Sequence, residues 1–205
     1  MTGDRFIWGL VLFAFLTLAA FTCGDDDDND NDDDTGGDDD AGDDTAADTV
    51  PAGQVWLDSS TGLTWQVQAQ DEENRMLWNE AKSYCERMVG GGFTDWRLPT
   101  ITELRSLVRG CPNMEEDGAC GVTENCIVES CLDDCIRCYC GDGPADGYYW
   151  PNELSGSDNG YWSTTPIQYP DGDTTLGVWL LGFGCAEIFP ESKGFMAQAF
   201  FCVRG

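Results

Sequence analysis

The residues best equipped for chemistry are the eleven cysteines. Seven of them, Cys111, Cys120, Cys126, Cys131, Cys135, Cys138 and Cys140, share one stretch; Cys85, Cys185 and Cys202 lie outside it and Cys23 lies near the start. Thiols at this density hold zinc, exchange electrons or pair as disulfides. The Cys135-x-x-Cys138 spacing suits zinc or a redox dithiol. The sequence contains no histidine. That removes the commonest metal ligand, the usual general base near neutral pH and the usual partner of a Ser or Cys nucleophile. No thioredoxin-like strand–helix–strand pattern surrounds the pair, so disulfides are the expected state, and they require an oxidising compartment. No nucleophile–base pair stands out, so no catalytic residue is assigned and a non-enzymatic role is expected.

Other polar and aromatic residues offer binding chemistry. Arg97, flanked by Trp96, suits either a carboxylate ligand or a structural ion pair with Asp95 or Glu103; the ion pair is the expectation. Tyr148, Tyr149, Trp150, Tyr161, Trp162 and Trp179 offer faces on which sugar rings stack, although aromatics of this kind mostly serve as core. Tyr148, Tyr149, Trp150 and Tyr161 are the candidate ligand contacts. Asp158, Asn159, Asp171 and Asp173 are loop residues of the kind calcium takes, but their types suit turns better. No Glu-Pro-Asn or Gln-Pro-Asp sugar-binding triplet is present. No cofactor is expected, with calcium the one ion these loops suit.

Charge narrows the partners. The net charge is −28, and residues 25–48 hold fourteen aspartates with no Lys or Arg. From Pro51 onward 23 acidic and 9 basic residues leave −14. Such a field repels nucleic acid, heparin and anionic lipid surfaces. It favours neutral glycans, divalent cations or basic protein surfaces.

The N-terminal stretch directs the chain out of the cytoplasm. Phe6 to Phe21 is apolar, shorter than the ~20 residues that span a bilayer, and fits a signal-peptide core over residues 1–22. Ala20-Phe21-Thr22-Cys23 resembles a bacterial lipobox, though without the usual Leu and the usual Gly or Ala, so Cys23 is the expected lipidation site and membrane anchor. Removing Cys23 leaves an even ten cysteines. Gly24, rather than Asp, follows it and points to the outer membrane or cell surface. Residues 23–50 then read as a lipidated cysteine and an acidic disordered tether, because nothing in them buries enough apolar surface to offset ordering. No Glu completes an EF-hand loop there.

These candidates must be positioned by a domain over residues 51–205. Val55 to Leu57 and Leu63 to Val67 flank a Ser-Ser-Thr-Gly turn and predict a hairpin. Trp78, Ala81, Cys85 and Met88 share one face of a helix over about 76–89, stopped by Gly90-Gly91-Gly92. Trp96 and Leu98 alternate about Arg97 as on a short strand ending at Pro99. Thr100-x-x-Glu103 is a capping box that opens a second helix to about Arg109, with Ile101, Leu104 and Val108 on one side. Residues 111–147 form a cysteine-rich insert. Tyr161–Thr164, Val178–Phe183 and Ala197–Arg204 predict strands. The order gives an α+β domain, two helices with an antiparallel sheet.

Five motifs run in order from Val55 to Gly205: DSSTGLTWQ, the W-x-E-A-x-x-Y-C of Trp78 to Cys85, GGFTDWRLPT-x-x-EL, YWSTT and CVRG. Together they closely resemble the Lcl C-terminal domain family (DUF1566). The motif residues carrying the match include Trp78, Asp95, Trp96, Arg97, Leu98, Pro99, Thr100, Glu103 and Trp162. Leu77, where a small polar cap is expected, and the insert depart from the pattern. The resemblance implies a relative of C-type-lectin-like folds, with the first helix tied to the last strand by Cys85–Cys202. On that pairing, parity sends one insert cysteine to Cys185 and leaves three bridges within the insert, their connectivity open. The family's namesake domain belongs to a bacterial collagen-like adhesin that binds sulfated glycosaminoglycans. The expected role is therefore a surface-displayed, lectin-like binding or adhesion module. The alternatives are a structural envelope protein without a soluble ligand, or an enzyme on a scaffold like the related formylglycine-generating fold.

Overall fold

The computed structural model describes residues 50–51 and 53–205. The expected signal sequence, Cys23 and the expected acidic tether up to Thr49 lie outside the described residues. Among the described residues no helix is long and apolar enough to cross a membrane.

The predicted hairpin forms as β2 (Val55–Leu57) and β3 (Thr64–Gln66), with Trp56 opposite Trp65. Asp58 sets its turn. Its buried carboxylate accepts from the Ser60 amide (2.9 Å), the Ser60 hydroxyl (2.6 Å) and the Thr61 hydroxyl (3.1 Å). Gly62 takes the positive φ of 78° that closes it. Ahead of the hairpin, β1 (Val50–Pro51) runs parallel to β4 (Met88–Val89).

That pairing shortens the first helix. α1 spans Trp78–Arg87 rather than reaching residue 89, because Met88 and Val89 are drawn into the ladder with β1. The glycine run shapes the next turn instead, with Gly91 and Gly92 at positive φ. At the other end Leu77 has no side-chain oxygen to offer. Glu80 still reaches back to the Leu77 amide at 3.0 Å, so half of a capping box is kept. α2 is shorter too, Ile101–Ser106. Its last turn tightens, with the Leu107 amide on the Leu104 carbonyl and the Val108 amide on the Arg105 carbonyl.

The domain is α+β, but with two three-stranded antiparallel sheets instead of one. The first is β2-β3-β8, where β8 is Val203–Arg204. The second is β5 (Gly160–Pro166), β6 (Gly177–Gly182) and β7 (Glu187–Ser192). β7 was not expected. Glu-Ile-Phe-Pro-Glu-Ser reads as a loop, and Pro190 is tolerated because β7 is an edge strand. Conversely, most of residues 197–204 is not a continuous strand. Gln198 bridges Met76, Ala199 bridges Tyr161 and Phe200 bridges Gln70, one residue at a time. Val203 pairs with Trp65 on one side and exchanges both backbone hydrogen bonds (2.9 Å) with Arg97 on the other.

β6 is buried along its whole length because the second sheet is covered on both faces. Val178 and Leu180 join Trp162 in a core with Ala81, Cys85 and Met88 of the α1 region. Trp179 and Leu181 join Tyr161 in a larger core with Ile101 and Leu104 of α2 and with the insert. Alternation along one strand thus feeds two cores.

Candidate functional site

The WRLPT motif builds structure. Trp96 and Leu98 are buried, and Arg97 turns outward to grip Glu103 through two bonds of 2.7 and 2.6 Å. Glu103 also accepts the Thr100 amide at 2.8 Å while the Thr100 hydroxyl accepts the Glu103 amide at 3.2 Å, so the capping box and the ion pair share one carboxylate. Burial alone would push Glu103 up, but the Arg97 guanidinium and the Thr100 amide outweigh it and hold the carboxyl below its usual range. Asp95 pairs instead with Arg204, at 2.7 and 3.1 Å. The Pro99 carbonyl receives the Thr164 amide at 2.7 Å. The Trp162 indole donates to the Met76 carbonyl and the Trp78 indole to the Ser163 carbonyl, both at 2.8 Å. The Arg97 fork is thus occupied by Glu103, as expected of a structural ion pair.

All ten described cysteines are paired: Cys85–Cys202, Cys111–Cys138, Cys120–Cys135, Cys126–Cys131 and Cys140–Cys185. Cys135 and Cys138 bond to different partners, so their spacing marks neither a redox dithiol nor half of a zinc cluster. The pairing of helix to last strand is the one the family resemblance implies.

Three of the four candidate ligand-contact aromatics are core residues. Tyr149, Trp150 and Tyr161 are buried. Trp150 lies edge-on to Tyr161, which stacks on Phe201 at 5.0 Å. Burial pushes the Tyr161 hydroxyl far up, and that hydroxyl donates to the Ser157 carbonyl at 2.9 Å. Tyr148 is half-buried and stacks on Trp150 at 4.6 Å, so its inner face is taken. The physical reason is volume: a domain with so little helix fills its centre with rings. Of the loop residues that suit calcium, Asp171 and Asp173 act as turn-formers. Asp171 accepts the Asp173 amide (3.0 Å), Asp173 accepts the amide and hydroxyl of Thr175 (both 2.7 Å), and Asn159 accepts from Arg75 (3.3 Å). Among the described residues no group of three or more acidic, Cys or His side chains is arranged to hold a metal ion.

One residue that sequence reasoning missed organises the insert. Arg105 is 1 % exposed on α2, and its guanidinium meets only carbonyls: Met114 (3.3 Å), Val122 (2.9 Å), Glu115 (2.7 Å) and Glu116 (3.4 Å). Its signal was present. Ile101, Leu104, Arg105 and Val108 fall at i, i+3, i+4 and i+7, which puts a cation on the apolar stripe. Glu124 of the insert meets α2 from its other end, accepting the Thr102 amide (3.2 Å) and the Thr165 hydroxyl (3.0 Å).

The insert so held forms one wall of a groove of about 480 Å³. Val128, Glu129 and Ser130 supply that wall. They sit inside the short loop closed by Cys126–Cys131, and the Gln168 amide fastens them to β5's end through the Ile127 carbonyl at 2.8 Å. The facing side carries Tyr169 and Pro170 from the β5–β6 loop, which Asp171 and Asp173 shape, and Pro190 from β7. Tyr169 folds over Gly177: its hydroxyl lies 2.5 Å from where a Cβ at that position would stand, so a larger residue there would push the Tyr169 hydroxyl aside. Buried Trp179 contributes to the lining, and its indole N–H has no protein acceptor. Rings and prolines flanked by an amide, a hydroxyl and one carboxylate make a surface suited to an apolar sugar face edged by hydroxyls.

No curated protein and no solved structure matches the chain. The sequence profile of the Lcl C-terminal domain matches residues 54–204, from the hairpin to the last strand. The chain therefore belongs to the Lcl C-terminal domain family.

Proposed function

We propose that this chain is a surface-displayed, lectin-like binding module, related to C-type-lectin-like folds, that takes an uncharged glycan in the groove between the insert and the second sheet. The observation that carries this reading is the groove's half-buried Tyr169 ring beside Pro170 and Pro190, edged by the Gln168 amide, the Ser130 hydroxyl and the single carboxylate of Glu129, on a domain from Pro51 whose net charge is −14. The helix-to-last-strand disulfide supports the fold relationship. That charge turns away sulfated glycosaminoglycans despite the family's namesake. A glycan array probed with the soluble domain, with and without calcium, should show retention of neutral glycans and little of heparin. Tyr169→Ala should weaken that retention about tenfold or more, about 1.4 kcal/mol. Tight, salt-sensitive heparin binding would overturn the charge argument. Silence on every glycan would favour a structural envelope role.

The display rests on lipidation at Cys23 after removal of residues 1–22, with the acidic tether holding the domain off an outer membrane or cell surface. Cys23→Ser should shift the protein from the membrane fraction to the soluble one. Retention in the membrane with the leader uncleaved would refute the anchor.

A further inference from the structure

A second concavity, of about 420 Å³, has a different chemistry. Its walls include Gln54, Gln66, Gln68, Gln70, Tyr84 and Ser155, and no charged side chain lines it. The backbone explains the set. Beyond β3 the chain stays extended, so Gln66, Gln68 and Gln70 fall at alternate positions on one side. The Val67 amide bonds the Gln54 carbonyl, and the Ser155 amide bonds the Val67 carbonyl, each at 2.9 Å, which gathers both residues at the rim. Tyr84 comes from α1.

Gln66 is 3 % exposed, and its side-chain carbonyl oxygen is fully buried with no hydrogen-bond partner in the protein. Burial raises the Tyr84 hydroxyl's pKa, and the neighbouring Gln66 side chain partly offsets that rise. A buried acceptor left unpaired costs roughly 1–3 kcal/mol. Gln66 itself lines a cavity large enough for a ring, and a small rotation of its amide would turn this oxygen toward a ligand there. Amides and hydroxyls both donate and accept, which matches a ligand made of hydroxyls. An ionic ligand would find no counter-charge in the lining, and an apolar one would strand the amides.

We propose that this pocket binds a small uncharged saccharide unit, with a ligand hydroxyl donating to the Gln66 carbonyl oxygen. Gln54 and Gln68 hold the outer edge of the ring, and Tyr84 and Ser155 supply further hydroxyl partners. The ligand then ties the lead-in segment at Gln54 to β3, α1 and Ser155. This site is independent of the Tyr169 groove, since the two share no lining residue.

Saturation-transfer NMR on the intact chain tests it, with glucose, galactose, mannose and N-acetylglucosamine as probes and glucuronate and glucosamine as charged comparators. At least one neutral sugar should bind saturably, and the charged sugars at least tenfold more weakly. In the Tyr169→Ala background, where the groove is disabled, Gln66→Leu should abolish the remaining binding while thermal stability holds or rises, because it removes the unpaired carbonyl at similar volume. Gln68→Ala, at an exposed position that cannot unfold the domain, should weaken binding at least fivefold. Tyr169→Ala alone should remove only what the groove contributes and leave saturable binding at this pocket. The absence of saturable binding by any neutral sugar in the Tyr169→Ala chain, or binding there that survives both Gln66→Leu and Gln68→Ala, would overturn the proposal. Sugar binding lost with Tyr169→Ala but kept with Gln66→Leu would place the saccharide in the groove, refuting this pocket while leaving the proposed function standing.

Discussion

Replacing Cys85 and Cys202 together by alanine should cost about 4–5 kcal/mol, because the bridge closes a separation of 117 residues. A chain-entropy treatment gives that figure from the freedom restored to the unfolded chain. Both cysteines are also fully buried in the core beneath α1, so the two lost sulfur atoms leave a void that adds to the loss. For a domain of this size the midpoint should fall by roughly 10–15 °C. The internal comparison is Cys126–Cys131, which spans only 5 residues. The same treatment predicts a cost lower by roughly 2–3 kcal/mol for that pair. Denaturant unfolding of the two double variants reads the difference directly. Equal losses would mean that burial and local strain, not loop closure, set the stability.

Arg105→Met should cost about 3–5 kcal/mol and strike the insert first. The substitution keeps the apolar stem but strands the buried carbonyls of Met114 and Val122 and the part-buried contacts at Glu115 and Glu116. Burial already lowers the Arg105 pKa, since no carboxylate touches it and only the more distant Glu116 and Glu124 favour its charge. Arg105→Lys should recover little, because one ammonium cannot span acceptors that a planar fork reaches at once. Hydrogen exchange should show amides of residues 111–124 losing protection while those of β6 keep theirs. A variant with an undisturbed insert and a loss under about 1 kcal/mol would show that water replaces the guanidinium there.

What the sequence discloses and what it withholds divide along a physical line. The hairpin around Trp56 and Trp65, the Thr100–Glu103 box and the inward face of α1 are legible because their partners lie within a few residues. The ends of both helices are not, since Met88 is claimed by Val50 from far upstream and the turn after Ser106 tightens where Arg109 bonds Tyr149. β7 hides because Pro190 and its acids look like loop, and only its edge position admits them. The candidate sites are the least legible part. Tyr149, Trp150 and Tyr161 cluster with the exposed-looking Tyr148 in sequence yet are buried, whereas the groove draws single residues from the insert, the β5–β6 loop and β7. Burial of an aromatic depends on what the rest of the chain lays over it, and that is a tertiary fact.

The single-residue bridges of residues 198–204 set the order of events when the protein is made. Gln198, Ala199, Phe200 and Val203 connect to Met76, Tyr161, Gln70, Trp65 and Arg97, and Cys202 to Cys85. The first sheet lacks its third strand, and the two sheets lack these links, until this segment has left the ribosome. A nascent chain missing it can make the hairpin and the turns of the insert, whose contacts are local, but not the two cores. Closure of both cores therefore waits on this segment and is governed by contacts distant in sequence, which makes folding slow for a domain of this size.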